Sequence, residues 1–107
     1  MTQTLLIESR SFFAGGGFCT ELARALAATP GHRVALLLVC NGVLPARSGA
    51  DAPQFAALRD AKVELLADRF SLRERGIGEA QLAPGIGATE LEVVIDRMAD
   101  GWRVVWH

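Results

Sequence analysis

The chain is short of lysine, cysteine and long apolar runs, and it carries almost no net charge. Lys62 is the only lysine, the other positive charges are arginines, and the formal net charge is −1. A nucleic-acid binder that works by neutralising phosphates needs a basic face, so this balance argues against one. It argues equally against a polybasic membrane tether. The two cysteines, Cys19 and Cys40, are too few for a secreted disulfide scaffold. The longest apolar stretch, Val34 to Cys40, falls far short of the roughly 20 residues that span a bilayer. Met1-Thr2-Gln3-Thr4 lacks the basic start of a signal peptide. A cytoplasmic protein with reduced thiols is expected, with neither nucleic acid nor membrane as a partner.

What is present fits one domain over residues 1–107. Half of the 107 residues are apolar and 21% are charged, enough to bury a core and to exclude disorder as the resting state. Thr4 to Glu8 reads as a short buried strand. Thr20 to Ala28 places Leu22, Ala23, Leu26 and Ala27 on one helical face, and Pro30-Gly31 ends it. Arg33 to Cys40 is the clearest strand, apolar enough to be covered on both faces. Asn41-Gly42 turns out of it into a loop. A helix from Pro53 to Asp60, a strand from Lys62 to Ala67 and a short helix from Ser71 to Arg75 follow. Ile77 to Gly87 reads as a connection. Thr89 to Ala99 reads as an amphipathic helix capped by Thr89, with Leu91, Val94, Ile95 and Met98 as its inward stripe. Trp102 to Trp106 closes the chain as a strand, both tryptophans on one face and available to the core or to a subunit interface. Alternating strands and helices predict an α/β fold with a mainly parallel, doubly wound sheet, in which ligands gather at the carboxyl ends of the strands.

The loops at those ends hold the candidate residues. Gly15-Gly16-Gly17 lies between a strand and a helix, where backbone N–H groups and the helix dipole can receive an anion or nucleotide. The dinucleotide fingerprint is incomplete because Thr20 takes its third glycine position, and no P-loop is present. The plainer reading is a turn that lets the helix pack. Cys19 falls in the first helical turn, where the dipole favours a thiolate; the competing reading is a small buried side chain. Cys40 ends the best strand beside Asn41 and Gly42, which places it either at a ligand mouth or in strand packing. The two thiols come near one mouth if the first two strands are neighbours. No metal is expected, since Cys19, Cys40, His32 and His107 lack ligand spacing, and both histidines read as solvated. Asp68 and Glu74 either form a carboxylate pair or lie at the surface beside Arg69, Arg73 and Arg75. Ser9, Ser11, Ser48 and Ser71 lack a nucleophile-elbow setting. No cofactor motif is complete.

Three segments together carry a family resemblance: Leu38-Val39-Cys40-Asn41-Gly42-Val43, then Ser71-Leu72-Arg73-Glu74-Arg75-Gly76-Ile77, then a closing helix with a short last strand. In order and spacing the chain resembles the DsrE/DsrF/DsrH group of small sulfur-relay proteins, which includes TusD, TusC and TusB. The resemblance implies a three-layer α/β/α fold around a five-stranded, mainly parallel sheet. It implies assembly into trimers or hexamers, or with paralogous subunits. In the members that carry sulfur, a persulfide forms on a cysteine after the third strand; counting back from Gly76 places Asp68 there. A carboxylate cannot hold a persulfide. The resemblance therefore implies a non-catalytic subunit of the DsrF or TusC kind, unless a sulfurtransferase uses Cys40 or Cys19 instead. No family role transfers to those two thiols, because neither occupies the motif position.

Overall fold

The computed structural model describes residues 1–11, 17–50 and 52–107. Five strands form one parallel sheet: β1 (Thr2–Glu8), β2 (His32–Leu38), β3 (Glu64–Asp68), β4 (Ile86–Thr89) and β5 (Arg103–Trp106), in the order β4-β3-β2-β1-β5. Four helices connect them: α1 (Phe18–Ala27), α2 (Pro53–Asp60), α3 (Arg69–Glu74) and α4 (Glu92–Ala99). Two 3-10 turns, Cys40–Ala46 and Glu79–Gln81, complete the list of described elements.

The central strands are apolar on both faces because both faces are covered. Leu6, Leu36, Leu38, Leu65 and Ala67 pack with Ala23 of α1, Phe55 and Leu58 of α2, and Leu72 of α3. Leu5, Ile7, Ala35, Leu37 and Val39 pack on the opposite side with Val93 and Val94 of α4 and with Trp102. This division follows from topology. The chain steps from β1 to β4 in one direction, and right-handed crossovers keep α1, α2 and α3 on one face. After β4 it returns past β1 to place β5, so α4 falls on the other face. The C-terminal ends of β1 and β5 therefore flank the point where the strand order reverses.

Several boundaries differ from the sequence expectation. Residues 86–89 form β4 rather than part of a connection; four residues containing Gly87 show no strand period, and only pairing with β3 reveals them. Thr89 is consequently the last residue of β4, paired with Asp68, and is not a helix cap. On α4, Val93 and Val94 face the sheet, whereas Leu91, Ile95 and Met98 are exposed. Of the expected inward stripe only Val94 packs on the sheet, and Val93, which lies outside that stripe, takes the place beside it. Cys40 lies just beyond β2 and opens a 3-10 turn, with φ of 51°. Trp102 precedes β5 and is half-buried, with the guanidinium groups of Arg97 and Arg33 lying 4.5 and 5.7 Å from its ring centre. Trp106 is exposed.

Candidate functional site

A cleft of about 630 Å³ opens at the carboxyl ends of β2 and β3. Cys40, Asn41, Asp68, Ser71, Glu74 and Arg75 supply its polar lining, and Val39, Phe70, Leu91 and Trp106 its apolar lining. Asp68 is buried and occupies the N-cap of α3. Its Oδ2 accepts the Ser71 N–H at 3.0 Å and the Ser71 hydroxyl at 2.6 Å. Ser71 Oγ in turn accepts the Cys40 N–H at 2.8 Å. One connected set of hydrogen bonds thus joins the end of β3 to the end of β2.

This set accounts for the backbone at Cys40. A left-handed conformation costs a residue with a Cβ roughly 1–2 kcal/mol, and it is tolerated where surrounding bonds fix it. Here the Ser71 oxygen holds the Cys40 amide in place. The thiol is free and exposed, so it is open to reagents at the cleft. Arg75 closes the rim: its Nε and Nη2 donate to Asn41 Oδ1 at 3.1 and 3.0 Å, and its Nη1 donates to the Ser71 carbonyl at 3.1 Å. Gly42 packs directly on the Glu8 carbonyl, so a Cβ there would collide with β1. That close approach, rather than a hairpin, explains the Asn41-Gly42 pair.

Asp68 is therefore not a surface charge, and its partner is Ser71 rather than an arginine. Arg69 turns away from it to Glu79 and Glu90, which hold the guanidinium firmly protonated. Glu74 shares the cleft with Asp68. Cys19 is fully buried under α1, its Sγ 3.8 Å from the Ile7 carbonyl. Burial pushes its thiol up to about 12, assisted by the negative charge of Glu8 and a hydrogen bond to it. Desolvation and a neighbouring carboxylate oppose ionisation here, so the helix position yields no activated thiolate. The two free thiols stand in different surroundings: Cys40 lines the cleft, and Cys19 is sealed in the core.

Both histidines are partnered rather than simply solvated. His32 Nε2 lies 2.7 Å from Thr4 Oγ1. His107 Nδ1 lies 2.9 and 3.0 Å from the two oxygens of buried Glu8. Glu8 was not singled out by sequence; an acidic residue ending an otherwise apolar strand is the signal that could have found it. The role of Ser71 beside Asp68 is not part of the sequence reading, although the Asp68-to-Ser71 spacing is that of a helix cap and the residue it serves. Of the glycine loop, Gly15 and Gly16 lie outside the described residues. Gly17 precedes α1 with φ of −78° and open space where a Cβ would stand, so nothing at that residue requires glycine.

Residues 16–106 match the DsrE/DsrF-like family. The chain belongs to that family. Its fold is shared with two solved structures across the full length of both chains in each comparison. One is a protein of unknown function, MTH1491 from Methanobacterium thermoautotrophicum, with 15% identity and a TM-score of 0.84. The other is the ychN protein from E. coli, with 17% identity and a TM-score of 0.84. No curated protein matches the chain. Among the described residues, no helix of this DsrE/DsrF-like chain is long and apolar enough to cross a membrane.

Proposed function

We propose that this chain serves sulfur relay as a binding subunit rather than as a sulfur carrier. The carrying observation is the state of Asp68. At the position where the family resemblance places the persulfide thiol, a buried carboxylate is spent on capping α3 and bracing Ser71. The cleft around it has both polar and apolar lining, as binding sites do, and lacks the thiol at that position. Exposed Leu91, Ile95, Met98 and Trp106 favour a homo-oligomer, trimeric or hexameric, or assembly with paralogous subunits. Free thiols favour action in the cytoplasm.

A second reading has its own observation. Cys40 is an exposed thiol at the cleft, held in a left-handed conformation, and would serve a sulfurtransferase whose carrier has moved from β3 to β2. Intact-mass measurement after incubation with a cysteine desulfurase and cysteine separates the two. The binding-subunit reading expects no added sulfur. A reducible gain of one sulfur that is lost in Cys40→Ser overturns it in favour of the second.

A further inference from the structure

We propose that Glu8, Cys19 and His107 form a binding site for a divalent transition-metal ion, zinc in the first place. Their donor atoms come from three separate segments: the end of β1, the first turn of α1, and the residue after β5. The carboxylate oxygen, the thiol sulfur and the imidazole nitrogen all lie within 4.8 Å of one another. Zinc bonds of about 2.0–2.3 Å to oxygen, nitrogen and sulfur place tetrahedral ligands roughly 3.3–3.7 Å apart. The cluster reaches that geometry by side-chain adjustments of about an ångström or less. One thiolate, one imidazole and one carboxylate suit a borderline ion, and three protein ligands leave a fourth position for water or another ligand.

The position of the cluster supports the same assignment. It sits at the reversal of strand order between β1 and β5, where open α/β sheets place their ligands. Two of the donors, those of His107 and Glu8, are positioned by structure outside the cluster. The His107 amide donates to the Ile7 carbonyl at 2.8 Å. The His107 carbonyl accepts the Ser9 N–H at 2.9 Å and the Ser9 hydroxyl at 2.8 Å. The ring of Phe18 lies 5.0 Å from the imidazole. Glu8 Oε2 accepts the Arg10 N–H at 3.0 Å. Such outer contacts orient ligands in metal sites. Charge adds a further argument: a buried carboxylate beside a buried thiol leaves room for two negative charges, and a doubly charged cation balances both. The site is separate from the cleft and does not depend on the sulfur-relay reading.

The test is zinc binding by the full chain after chelator treatment, measured by competition with a chromophoric chelator, with cobalt(II) as a spectroscopic probe. One zinc per chain is expected. Cys19→Ser and His107→Ala should each weaken binding at least tenfold, whereas Cys40→Ser should not change it. Cobalt should give a thiolate-to-metal absorption band that Cys19→Ser removes. Glu8 is buried and its variants risk misfolding, so the partly exposed His107 provides the safer second variant. Absence of stoichiometric zinc in the wild type overturns the proposal, as does binding that survives Cys19→Ser and His107→Ala together.

Discussion

Replacing Ser71 by alanine removes the oxygen at the centre of the brace between β2 and β3. Two bonds disappear: the Cys40 N–H loses its acceptor, and Asp68 Oδ2 loses its shorter donor. A bond to a charged group contributes about 1.5–3 kcal/mol, and one between neutral groups about 0.5–1.5 kcal/mol. The Ser71 N–H still caps α3 through Asp68, which preserves part of the total. A loss of about 2–3 kcal/mol is therefore expected, equivalent to a fall in Tm of roughly 10–20 °C for a domain of this size. Asp68→Asn should cost less, about 1 kcal/mol, because asparagine is an equally good cap and only the charge assistance is lost. Urea and thermal unfolding measure both variants. Alkylation kinetics report on Cys40, whose backbone should relax out of its left-handed conformation in Ser71→Ala and change its reaction rate. A Ser71→Ala protein within about 0.5 kcal/mol of wild type, with unaltered Cys40 kinetics, would refute the brace.

Other expectations follow from single contacts. Gly42→Ala should lose about 1–3 kcal/mol in urea unfolding, because its Cβ meets the Glu8 backbone; Gly78→Ala, with a negative φ and a Cβ in ordinary contact with Gln81 Oε1, should be neutral or slightly stabilising. Asp68→Cys places a thiol where the family resemblance puts the sulfur carrier and should acquire a reducible sulfur from a persulfide donor, read by intact mass, at a cost of about 2–4 kcal/mol for the lost cap and the lost bond from the Ser71 hydroxyl. Ile95→Glu, at an exposed position on α4, should lower the mass seen by light scattering if that face joins subunits. With chelator present, stability should fall as pH rises from 9 toward 12. The unfolded chain releases the Cys19 proton near 9.0 and the folded chain near 12, so the contribution is complete below pH 9 and lost above it. Cys19→Ala should flatten that slope in denaturant titrations at successive pH values.

The parts of the fold that sequence revealed are those whose signal is local. The apolar run of β2 and the proline-initiated α2 announce themselves, and α2 spans the expected Pro53–Asp60. β4 does not, because Ile86-Gly87-Ala88-Thr89 has no alternation and its strand character comes from pairing with β3. The apolar positions of α4 are visible in the sequence, but which of them face the sheet is set by tertiary packing: Val93 and Val94 pack inward while Ile95 is exposed. The site divides in the same way. Cys40 at the end of a strand and Asp68 before a helix are readable from their neighbours. Glu8 and His107 are 99 positions apart, and nothing local to either residue indicates the other. Cys19 shows the limit of a one-element argument: its place in a helix's first turn was correct, and burial with a carboxylate beside it reversed the electrostatic consequence.

The adjacency of β1 and β5 also bears on how the molecule assembles. Strands β1 to β4 each join a neighbour close in sequence, whereas pairing β5 with β1 closes a loop over almost the whole chain. Contacts of such long range bring their stabilisation only after most of the chain's freedom has been surrendered, so β5 is expected to dock late. Until it docks, β1 presents an open, apolar edge of unpaired N–H and C=O groups, the kind of edge that captures another chain. The yield of correctly folded protein should therefore depend on how quickly four residues, Arg103 to Trp106, reach the first strand.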